Sequence, residues 1–65
     1  MKVNIEAERA RNNLTKQSIS AKLGISSKTY WNYINGHTPI PSDVLLSLSD
    51  MFHCSTDYLL EDDAS

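Results

Sequence analysis

Sixty-five residues and 7.3 kDa leave room for one small domain, residues 1–65, because chains below about 70–80 residues close only a single modest core, and most enzyme folds are thereby excluded. The one cysteine, Cys54, cannot close an internal disulfide, so packing or a partner chain must supply stability, and secreted disulfide scaffolds are excluded as well. A net charge of −2 and a pI near 5.4 argue against a uniformly basic nucleic-acid binder, while 40% hydrophobic and 22% charged residues fit a globular domain better than a disordered tail.

The average charge hides a division. All six Lys and Arg residues (Lys2, Arg9, Arg11, Lys16, Lys22 and Lys28) lie within residues 1–42 against only Glu6 and Glu8, whereas residues 43–65 hold six acids and neither Lys nor Arg. A basic part followed by an acidic part suggests two faces with different partners, although such asymmetry is also the ordinary look of a solvated surface. No apolar run approaches the roughly 18–20 residues needed to span a membrane, and none after Met1-Lys2 reads as a signal peptide, so an intracellular protein is expected.

From about Val3 to Asn12, Ile5, Ala7 and Ala10 among charged residues predict a first helix, which Asn13 can stop in the left-handed conformation. Thr15 is a plausible N-cap for a second helix carrying Ile19 and Leu23 four apart and ending at Gly24. Ser26 or Ser27 caps a third, in which Tyr30, Tyr33 and Ile34 form the buried stripe and Asn35-Gly36 the stop. Pro39 and Pro41 bar helix continuation across 37–42, and a fourth helix begins at Pro41 or Ser42, with Val44, Leu45, Leu48, Met51 and Phe52 on its apolar face. Ser55 caps a last short turn to Leu60, and residues 61–65 form a frayed tail. The fold class is all-α: a compact bundle of four to five short helices with a helix-turn-helix at about residues 15–35.

Two short helices about a glycine turn also describe an ordinary αα corner. The stretch Leu14-Thr-Lys-Gln-Ser-Ile-Ser-Ala-Lys-Leu-Gly-Ile-Ser-Ser-Lys-Thr-Tyr-Trp-Asn-Tyr-Ile-Asn-Gly36 goes further, with small Ser20 four residues before Gly24 where the helices cross. Together with Pro39-Ile-Pro-Ser-Asp-Val-Leu-Leu46 and Ser55-Thr-Asp-Tyr-Leu-Leu60, it resembles the lambda-repressor-like helix-turn-helix family, the Cro and phage-repressor class also called the xenobiotic-response-element class. The register holds from Leu14 to Leu60 without an insertion.

The resemblance implies a sequence-specific, cytoplasmic regulator, bacterial or phage-encoded, that binds a palindromic operator in double-stranded DNA as a homodimer through the major groove. It places Ser26, Ser27, Lys28, Thr29 and Asn32 at base edges, where a Lys suits guanine O6 and N7 and an Asn suits adenine N6 and N7. Lys16, in the first turn of helix 2, Trp31, Asn35, His37 and Thr38 fall at the phosphate backbone. Ile40, Tyr58, Leu59 and Leu60 fall at the two-fold dimer contact.

Three departures from the family pattern stand out. Ile34 occupies a position that is Glu in many relatives, leaving Arg9 free for phosphate or for a local Glu. Trp31 takes an outward, usually polar position, and either packs sideways on a neighbouring helix or borders the DNA. Glu6 and Glu8 lie in a poorly matching first helix, where they would repel any phosphate they faced.

His53, Cys54 and His37 are too few for a structural zinc site of about four ligands, and no catalytic constellation is present, so neither a metal, a cofactor, a small-molecule ligand nor an enzymatic activity is expected. In the family register His53 falls where a helix-ending Gly is common and Cys54 where a small buried apolar residue is common. The alternative function is a protein-interaction module, such as an antitoxin or antirepressor-binding domain, that uses the acidic half or Trp31 with weak or no DNA binding.

Overall fold

Side-chain caps and left-handed residues set the limits of the helices in the computed structural model, which describes residues 1–62. The elements are α1 (Val3–Arg11), α2 (Lys16–Leu23), α3 (Ser27–Ile34), α4 (Ser42–Phe52) and α5 (Thr56–Leu60), so the expected all-α bundle has five helices among the described residues. Thr15 Oγ1 accepts the Ser18 N–H at 3.0 Å, Ser26 Oγ the Thr29 N–H at 3.1 Å and Ser55 Oγ the Tyr58 N–H at 3.1 Å, each satisfying one donor that an open helix end leaves unpaired. Asn13 (φ 57°) turns the chain after α1, Gly24 (φ 71°) after α2 and His53 (φ 55°) after α4. Pro41 precedes α4 with no side-chain cap.

α1 packs on α3 and α5, α2 on α3 and α4, and α4 on α5. Their shared core is Ile5, Ile19, Tyr30, Ile34, Val44, Leu48, Phe52 and Leu59. Each such aliphatic or aromatic side chain contributes about 1.5–3 kcal/mol on burial, which in a domain this small makes every one of them necessary. Of the predicted stripes, Leu23, Tyr33, Leu45 and Met51 are only half-buried, because short helices present narrow faces to the core. Ser20 is 2% exposed at the α2–α3 crossing and returns its hydroxyl to the Lys16 carbonyl at 2.6 Å, so the small residue permits close approach at no polar cost. Cys54 is half-buried in the core rim.

The expected fraying of 61–65 does not hold at its start. Asn4 Nδ2 donates to Glu61 Oε2 at 2.8 Å, and Lys2 Nζ lies 2.6 Å from Asp62 Oδ1, tying both residues to the N-terminal end; residues 63–65 lie outside the described residues. No helix among the described residues is long and apolar enough to cross a membrane.

Candidate nucleic-acid interface

α3 turns Tyr30 and Ile34 into the core, and that choice sets its opposite face. Lys28, Trp31, Asn32 and Asn35 then share one outward stripe, at spacings of three, four and seven residues. Lys28 and Asn35 are exposed and Asn32 half-buried. Neither Lys28 nor Asn32 has a side-chain hydrogen-bond partner among the described residues.

Two of the hydroxyls expected at base edges are engaged with each other. Ser26 Oγ lies 2.9 Å from Thr29 Oγ1 while capping the helix, so Ser27, Lys28 and Asn32 are the expected base-edge residues without an internal side-chain partner. At the other end, all four final carbonyls of α3 are satisfied. Trp31 O accepts from the Asn35 backbone at 3.0 Å and side chain at 2.9 Å, Asn32 O from His37 N–H at 2.9 Å, Tyr33 O from Gly36 N–H at 3.3 Å and Ile34 O from Lys2 N–H at 2.8 Å. A helix closed at both ends presents its outer face with little loss of order on binding.

Lys16 opens α2 immediately after the Thr15 cap, where free N–H groups and the helix dipole favour an anion. With Met1, Glu6, Tyr30, Trp31, Ile34 and Asn35 it lines a cavity of about 120 Å³ between the N-terminus, α2 and α3. Trp31 is 47% exposed and stacks on His37 in the α3–α4 loop, with ring centroids 5.1 Å apart. Thr38 is exposed in the same loop.

The acids of α1, which would repel phosphate if they faced it, turn inward. Glu6 Oε2 accepts from Arg9 Nε at 2.8 Å and Tyr30 Oη at 2.6 Å, and Arg9 Nη1 also donates to the Leu14 carbonyl at 2.6 Å. Glu8, only 4% exposed, accepts from Arg11 at 2.8 Å and from Tyr58 Oη at 3.1 Å. With Ile34 in the core, Arg9 therefore takes the local Glu rather than a phosphate.

Burial pushes the Glu6 carboxyl up, but the hydrogen bonds from Arg9 and Tyr30, with the Arg9 and Lys16 charges, outweigh it and hold the group below its usual value. The Tyr30 phenol is pushed well up, first by burial and then by its bond to Glu6. Lys2, Arg9 and Arg11 are thus neutralised by Asp62, Glu6 and Glu8, whereas Lys16, Lys22 and Lys28 form no ion pair among the described residues. The basic side chains left over all stand on α2 and α3. Lys22, in the last turn of α2, is the one that sequence reasoning left without a role; only the ion-pair pattern singles it out.

A family model described as helix-turn-helix, of the Cro and lambda-repressor-like type, matches residues 5–59, from α1 into α5. The chain belongs to this helix-turn-helix family. It is a DNA-binding helix-turn-helix regulator, of a family that is typically non-enzymatic. No curated protein and no solved structure matches the chain.

In this helix-turn-helix domain the apolar end expected at a dimer contact is smaller than the sequence suggests. Leu59 is 0% exposed and belongs to the monomer's own core, which removes it from any surface patch. Tyr58 is half-buried and committed to Glu8 through its hydroxyl. Leu60, 41% exposed, and Ile40 remain, flanking a groove of about 320 Å³ completed by Lys2, Gly36, Thr38 and Pro39.

Proposed function

We propose that the protein is a transcriptional repressor of phage or mobile-element type, acting in the bacterial cytoplasm, that binds a palindromic operator as a homodimer. The observation that carries this reading is the α3 stripe: Lys28 and Asn32 stand one turn apart on a helix fixed at both ends, with no side-chain hydrogen-bond partner among the described residues. Lys28 donates to guanine O6 and N7, Asn32 forms the paired bonds to adenine, and Ser27 serves either. Lys16, Asn35, His37 and Thr38 hold phosphates on either side and set the register. Two copies joined through Ile40 and Leu60 place their α3 helices in successive major grooves about 34–36 Å apart. The whole of residues 1–65 acts as one domain.

A second reading draws on Leu46, 62% exposed on α4 between Asp43 and Asp50: an acidic protein-interaction module of the antitoxin or antirepressor-binding kind, with weak or no DNA binding. Retention on heparin and on duplex DNA at low salt separates the two. A repressor is retained by both and released as salt rises, whereas passage through both columns by the folded protein contradicts the repressor and favours the module.

A further inference from the structure

Trp31 sits between the two groups of side chains proposed to hold phosphates. On one side its indole lines the cavity shared with Lys16 and Asn35. On the other it stacks on the His37 imidazole, the planes within 14° of parallel. The fold does not need this contact for its core, since residues 35–39 are exposed and Trp31 leaves nearly half its surface in water.

The loop is tied to α3 through backbone bonds, His37 N–H to Asn32 O and Gly36 N–H to Tyr33 O, and these set the chain at residue 37 without setting the direction of its ring. The imidazole has neither a side-chain hydrogen-bond partner nor an ion pair among the described residues, and the contact that bears on its direction is its stack on the indole.

We infer that Trp31 is a positioning residue: its stack holds the His37 ring ready to donate an N–H to one phosphate oxygen of the operator backbone. The inference rests on the DNA-binding reading and deepens it. A free imidazole would have to be immobilised at the moment of binding, at a cost of about 2- to 10-fold in affinity, and a ring already stacked avoids that loss. The aromatic pair thus replaces, on the loop side of α3, the fixed charge that Lys16 supplies on the α2 side.

The test uses a duplex selected by the protein, with each phosphate in turn replaced by an uncharged methylphosphonate. In the wild type each contacted phosphate responds to replacement, and at one per half-site, the phosphate that His37 holds, the loss of about 10- to 100-fold is on the scale of a hydrogen bond to a charged acceptor and depends on His37. His37→Ala no longer distinguishes that duplex from the unmodified one. Trp31→Ala shows the same insensitivity although His37 is intact, and Trp31→Phe, which keeps a ring to stack on, regains it. Helical circular dichroism establishes that each variant is folded. In the free protein, His37→Ala changes the emission of Trp31, the only tryptophan in the chain.

Full sensitivity retained in Trp31→Ala, or the absence of any phosphate whose replacement depends on His37, overturns the inference and leaves the repressor reading intact. Failure to select any duplex overturns that reading, and the inference falls with it.

Discussion

Lys16 and Lys28 both stand in the first turn of a helix, yet the tasks proposed for them differ. Lys28→Ala is expected to cost about 1–3 kcal/mol of operator binding and to relax specificity at one base pair. Lys16→Ala weakens all duplexes alike and lowers the slope of log K against log salt by about 0.9. Titrations of specific and random duplex across a salt series check both, and equal losses for Lys28→Ala on the two duplexes would remove it from base recognition. Glu6 carries a prediction of another kind. Its folded-state pKa lies below the ordinary 4.5, so its bonds to Arg9 and Tyr30 contribute stability above that pH and lose it as pH falls through the folded value. Glu6→Gln therefore destabilises the protein at pH 7 and much less at pH 3, as denaturant unfolding at the two pH values would show. An equal penalty at both would mean that the charge of Glu6 contributes nothing to the fold.

At the scale of the element, helix ends were the most legible feature of the sequence. Thr15, Ser26 and Ser55 cap through local bonds three residues long, which sequence spacing reports directly. His53 holds a left-handed conformation (φ 55°) that an L side chain adopts at a cost of about 1–2 kcal/mol. His53→Gly is accordingly expected to stabilise the domain by about 0.5–1 kcal/mol net of the greater freedom of glycine in the unfolded chain, raising Tm by several degrees. A lowered Tm would show that the imidazole contributes more than the strain costs. What escaped the sequence was orientation. α1 has too few apolar residues to declare its inner face, so Glu6 and Glu8 looked like surface charges until Tyr30 and Tyr58, 24 and 50 residues further along the chain, were placed against them. α5 is five residues long and cannot define a periodicity, which is why Leu59 was grouped with Leu60 although one is core and the other surface.

Over the whole molecule, the acidic pI gives way to a directional charge pattern once ion pairs are subtracted. The carboxylates of Glu6, Glu8 and Asp62 consume half of the basic residues, and the remaining three lysines stand on α2 and α3, while Asp43, Asp50 and Asp57 stand on α4 and α5. Such a molecule is drawn to DNA by one part of its surface only, and with few phosphates neutralised per copy the salt slope is expected to be modest. A monomer of this size offers few phosphate contacts, and the proposed homodimer would add those of a second copy. Leu60→Asp, placed in the groove beside Ile40, is expected to lower the sedimentation mass toward the monomer and to weaken binding to a full palindrome far more than to a single half-site. Unchanged mass and unchanged preference for the palindrome would locate the dimer contact elsewhere.

The central claim is that the outward stripe of α3 reads base pairs in duplex DNA. Selection from a randomised duplex pool at low salt, with the retained molecules sequenced, tests it most directly. The account predicts a two-fold-symmetric motif whose half-sites lie about one helical turn apart and whose defined positions degrade on Lys28→Ala and Asn32→Ala. Retention of no particular sequence by the folded wild-type protein would contradict it.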